Sequence, residues 1–61
     1  MLRRVRKANG LSQYALAKAA KPAVSREYVR KLEAGESDPT IGMLQRLAKA
    51  LDVPITDLLE E

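Results

Sequence analysis

Arg26, Glu27, Arg30 and Lys31 crowd into a stretch whose other large residues, Tyr28, Val29 and Leu32, are apolar. At the helical step of about 100° per residue the two sets separate. The apolar trio falls on one side, and the charged four, with Ala34, occupy a contiguous arc opposite. Such an arc is a row of hydrogen-bonding heads on a rigid rod. A guanidinium can donate two bonds to the O6 and N7 of guanine, an ammonium reaches the same atoms, and a carboxylate accepts from the N4 amino group of cytosine. Ser25, just ahead of the arc, and the first helical amides are suited to a phosphate oxygen. The same spacing has a second reading. Glu27 stands three residues before Arg30 and four before Lys31, an order that supports any solvent-exposed helix through side-chain ion pairs.

The rest of the chain offers no competing chemistry. It has neither Cys nor His, which removes disulfides, thiolate and imidazole metal ligands, and the commonest general base near neutral pH. The eight carboxylates are scattered over polar faces, loops and the tail. No nucleophile-and-base set, phosphate-cradling glycine loop or metal-ligand spacing can be assembled from them. Neither catalysis, nor a cofactor or metal, nor a small-molecule substrate is expected. Charge is uneven: residues 1–35 hold nine Lys/Arg against two acids, residues 36–61 two against six, so +7 and −4 make the net +3. A basic half joined to an acidic half suits a polyanionic partner on one face, although an unevenly charged solvated surface gives the same count.

These side chains must be positioned by a small scaffold. Sixty-one residues suggest one domain, 1–61, burying only about 60% of its unfolded surface, so an aliphatic core must hold it. No apolar run approaches the roughly 18 residues of a membrane span. The basic start lacks the apolar segment of a secretory signal, so a cytoplasmic, membrane-free protein is expected. Turn signals at Asn9-Gly10, Lys21-Pro22, Gly35 to Pro39 and Asp52 to Pro54 divide the chain into five short helices. The first covers Leu2–Ala8. The second, capped by Ser12, runs from Gln13 to about Ala20, and the third, capped by Ser25, covers Arg26–Ala34. The fourth, capped by Thr40, is expected to bury Ile41, Leu44, Leu47, Ala48 and Leu51. A last turn runs from Pro54 or Ile55 to Leu59. Gly42 weakens the fourth helix by up to roughly 1 kcal/mol relative to Ala, with no reason visible in the sequence.

The segments Leu11-Ser12-Gln13, Leu16-Ala17, Val24-Ser25-Arg26-Glu27-Tyr28-Val29 and Leu32-Glu33-Ala34-Gly35 closely resemble the Cro/phage-repressor (XRE-type) helix-turn-helix domain. The resemblance continues through Pro39-Thr40, Leu44, Leu47-Ala48, Ala50-Leu51, Val53 and Leu58-Leu59, and so covers Leu2 to Leu59. It implies an all-α, compact five-helix, lambda-repressor-like fold with the helix-turn-helix at the second and third helices. It further implies sequence-specific binding of double-stranded DNA and regulation of transcription, with repression the expected sense. By the same resemblance, Arg26, Glu27 and Lys31 match base-reading positions, whereas Ser25, Tyr28 and Arg30 match positions that touch the backbone. Gln13 matches the residue that contacts a phosphate and braces the third helix. Arg6 and Glu33 match a partly buried ion pair joining the first helix to the end of the third. Tyr28 is equally well read as a half-buried packing residue.

Relatives pair two copies on a palindromic site, with half-sites about 34 Å apart. Pro54, Ile55, Leu58 and Leu59 are therefore either a homodimer contact or a cap on the core. Two departures stand out. Lys21-Pro22-Ala23 replaces a shorter turn, and either swings the third helix or bulges outward and brings Lys21 to the DNA backbone. Glu36 and Asp38 stand where relatives offer basic residues, which lowers the affinity expected of one copy. The alternative is a protein-interaction module of the antitoxin type, with the acidic second half as its binding surface.

Overall fold

A computed structural model describes residues 2–59. Its helices are α1 (Leu2–Ala8), α2 (Gln13–Ala19), α3 (Arg26–Ala34), α4 (Ile41–Leu51) and α5 (Thr56–Leu59), with no strand among the described residues. Three helices begin in the same way. The hydroxyls of Ser12, Ser25 and Thr40 accept from the amides of Ala15, Tyr28 and Met43 at 3.0, 3.0 and 3.1 Å, satisfying donors that the helix leaves unpaired. Three helices close through left-handed residues, Gly10 (φ 71) just past α1 being the first. Gly35 (φ 76) closes α3, as expected of glycine. Asp52 (φ 58) closes α4 in a conformation that a short polar side chain tolerates better than most.

Leu16, Val29, Leu47 and Leu51 are fully buried and meet Ala17, Ala20, Ala48 and Leu58 in one cluster. With neither Phe nor Trp in the chain, close approach of backbones must replace bulk, and the alanines of α2 and α4 allow it. α2 packs against α3 and α4, α1 against α3 and α5, and α5 against α4. None of the described helices is long and apolar enough to cross a membrane.

Three expectations change in detail. Ile41 is 58% exposed, not buried. Side chains lean toward a helix's N-terminus, so that of the first residue of α4 overhangs the end of the core, while Leu44 is partly covered and Leu47, Ala48 and Leu51 lie inside. α2 ends one residue early, with Ala20 as its extended but buried cap. α5 starts at Thr56, and Pro54 and Ile55 form its lead-in turn through carbonyl bonds to Asp57 and Leu58.

The Lys21-Pro22-Ala23 segment, with a cis Lys21-Pro22 peptide, bulges outward, all three residues being exposed. Behind it the Val24 amide donates to the Ala17 carbonyl at 3.0 Å, so the bulge closes on itself and α3 still packs on α2. The Arg46 guanidinium of α4 donates through Nη2 to the Pro22 carbonyl and ties the bulge down.

A Cβ at Gly42 would meet only Thr40 Oγ1, at 3.9 Å. Gly42→Ala should therefore raise stability by up to about 1 kcal/mol, seen as a higher midpoint in urea denaturation. A lowered midpoint would show that the folded chain requires glycine there.

Candidate nucleic-acid interface

α3 is held from one side and open on the other. Val29 is fully buried and Tyr28 and Leu32 are partly so, whereas Arg26, Glu27, Lys31 and Ala34 are exposed. The cap at Ser25 fixes where the helix begins, so its first amides and the Arg26 and Glu27 side chains emerge together. Among the described residues neither Arg26 nor Lys31 forms an ion pair. Both heads are uncommitted.

Arg30 behaves differently. Its Nε donates to Glu27 Oε1 at 3.1 Å and its Nη2 to Glu27 Oε2 at 2.8 Å. The same Nη2 also reaches Glu36 Oε1 at 3.1 Å. The hydrogen bond from Arg30 is the main cause that holds the Glu27 carboxyl below its ordinary range, with the charges of Arg30, Lys31 and Arg26 adding to it against some desolvation. Arg30 is in turn pushed above its already high value by the bonds to Glu27 and Glu36. Glu27 is thus ionised and oriented, and its oxygens keep lone pairs for a further donor. The i,i+4 partner offered by the sequence, Lys31, is not the one Glu27 uses.

Orientation of α3 depends on a second cluster. Arg6 of α1 donates through Nε to Glu33 Oε2 at 2.6 Å and through Nη2 to Oε1 at 3.1 Å. Its Nη1 donates to the Leu11 carbonyl at 2.7 Å, and Gln13 Nε2 adds a bond to Glu33 Oε1 at 3.0 Å. The two charged side chains are only 8% and 4% exposed. Burial pushes the Glu33 carboxyl up, but the bonds from Arg6 and Gln13 and the nearby Arg6 and Arg3 charges outweigh it, leaving it below the ordinary value. One carboxylate therefore joins α1, the α1–α2 connection and α2 to the last turn of α3. Gln13 thus bonds to the last turn of α3 through that carboxylate.

The remaining singled-out residues are dispersed. Ser25 and Lys21 are exposed and Tyr28 half-buried. Leu58 joins the core, Ile55 packs partly against it, and Pro54 and Leu59 stay outside. Two contacts went unread in the sequence. Glu36 reaches Arg30 only because the left-handed turn at Gly35 folds the chain back, and Arg46 meets Pro22 across 24 residues. The first had a signal in the glycine; the second had none.

A helix-turn-helix family model matches residues 2–58. The chain belongs to the Cro/phage-repressor (XRE-type) helix-turn-helix family. α2 and α3 are its helix-turn-helix, and the domain binds double-stranded DNA in the regulation of transcription. No curated protein matches the chain.

In this helix-turn-helix domain, Arg6→Ala leaves the Glu33 carboxylate buried and unpaired, a loss of about 3–5 kcal/mol. Chemical denaturation at pH 7 should show it, and an unchanged midpoint would refute the bracing role. Acid reports on the same group. Because the folded Glu33 titrates below the ordinary carboxylate value, its contribution is complete above that ordinary value and fades as pH falls through the folded one. Glu33→Gln should flatten this acid limb between neutral pH and pH 2 (about the lower limit of carboxylate titration). Parallel stability curves for the two proteins would contradict the assignment.

Proposed function

We propose that α3 enters the major groove of duplex DNA and reads sequence there, with Arg26, Glu27 and Lys31 on base edges. The observation that carries this reading is the pair of uncommitted cations, Arg26 and Lys31, on the exposed side of a helix anchored by fully buried Val29. A groove about 12 Å wide admits such a helix. Glu27, oriented by Arg30, supplies an acceptor for a cytosine amino group. Gln13, Ser25, Tyr28 and Lys21 contact the phosphate backbone, and Arg30 joins them where a phosphate oxygen takes the place of Glu36.

Residues 1–61 act as one DNA-binding unit and regulate transcription as a repressor. Occupying the duplex is enough to exclude other proteins from it, and repression requires nothing more. Two copies pair on a palindromic site through exposed Pro54 and Leu59 with the edge of Ile55, while Leu58 contributes from the core.

Binding selection from randomised duplexes at two salt concentrations tests the reading. One sequence should be enriched, with affinity falling steeply as salt rises; recovery of random sequences at both salts would defeat it. Against the selected duplex, Arg26→Ala or Lys31→Ala should cost about 1–3 kcal/mol and relax preference at one base pair. Gln13→Ala should weaken all sequences evenly, and a change in base preference alone would contradict its role. Sedimentation with the duplex should give two chains per palindrome, and one chain per duplex would remove the dimer.

A further inference from the structure

The end of α2, the bulge after it and one side of α4 line a groove of about 500 Å³ that includes no residue of α3. Lys21, Arg46 and Lys49 line it, together with Gln45 and the small residues Ala19, Gly42 and Ala50, and among the described residues no carboxylate does. None of the three cations forms an ion pair among the described residues. Arg46 is fixed by its bond to the Pro22 carbonyl, and its Nε is buried without a hydrogen-bond partner. A buried guanidinium N–H lacking an acceptor is unfavourable, and three uncompensated cations around one concavity raise one another's energy. An oxyanion seated among them offsets that mutual repulsion, through the donors of Arg46 other than its buried Nε.

We propose that this groove binds a phosphate group. Arg46 supplies a fixed, planar set of donors, Lys21 and Lys49 supply mobile point charges, and the Gln45 amide adds a neutral donor. Gly42 gains a purpose here. Space is open where its side chain would begin, so the mouth of the groove stays clear. The bulge at Lys21-Pro22-Ala23, which departs from the shorter turn of the family, is what brings Lys21 to the rim and Pro22 to Arg46. The phosphate is either a free phosphate or phosphomonoester, or a phosphodiester of the bound nucleic acid.

The test uses the full chain, isotopically labelled, titrated with inorganic phosphate at constant ionic strength and followed by amide NMR shifts. Saturable shifts are expected at Gly42, Gln45, Arg46 and Lys49, without matching changes at Arg3 and Arg4 on exposed α1. Lys49→Gln should weaken the response about tenfold. Gly42→Glu, whose Cβ has room and which sets a carboxylate at the mouth, should abolish it while the fold is retained. A second arm adds duplex DNA. Displacement of phosphate by duplex, with weaker duplex binding in Lys49→Gln, assigns the groove to the nucleic-acid backbone. Phosphate binding unaffected by duplex assigns it to a free phosphate. Shifts that rise linearly, or that match those of Arg3 and Arg4, overturn the proposal. The phosphate titration involves no DNA, so its failure leaves the reading of α3 standing.

Discussion

The placement of α3 depends on one buried carboxylate. Glu33 lies in the last turn of that helix, and its oxygens receive Arg6 from α1 and Gln13 from α2, while Arg6 also holds the Leu11 carbonyl. Removing two charges from water is unfavourable, and the arrangement is tolerable only because hydrogen bonds satisfy both partners. What such a network supplies is direction. An aliphatic contact between helices survives a slide of an ångström or a rotation of a few degrees, whereas a forked guanidinium on a carboxylate does not. Val29 keeps α3 attached, and Glu33 keeps it aimed.

This division of labour suits a chain of this size. With no aromatic bulk beyond two tyrosines, the core is a small cluster of leucines, one valine and alanines. Its alanines bring α2 and α4 together but specify little about α1. The polar hub fixes α1 instead, and the hydroxyl caps at Ser12, Ser25 and Thr40 define where each following helix starts. The side chains that face outward are then set by register, because the starting point and the buried face together leave no rotational freedom.

Much of this was legible in the sequence for local reasons. A Ser or Thr before a helical period, a glycine after it and leucines at three- and four-residue spacing have nearly the same meaning in any protein, and α1, α3 and the caps stand where those signals put them. The Arg6–Glu33 pair was reached through family resemblance, since nothing local links residues 27 positions apart. Ile41 was misread because periodicity assigns a face but not whether another element lies beneath it. Arg30 carried two readings, and the structure pairs it with Glu27 at a three-residue step and with Glu36 through the fold-back of the chain. Arg46 is a non-local case, as its partner is a backbone carbonyl in a bulge whose path the sequence left open.

The bracket formed by Glu27, Arg30 and Glu36 has a thermodynamic consequence for the ion atmosphere. Favourable entropy in polyelectrolyte association comes from small ions released when protein cations neutralise phosphates. A guanidinium already neutralised by its own two carboxylates displaces fewer of them. The domain carries part of its counterion cloud covalently, so its response to added electrolyte should be shallower than a tally of its lysines and arginines implies. More of its affinity then has to come from shape and directed bonds, the kind of attraction that distinguishes one stretch of duplex from the next.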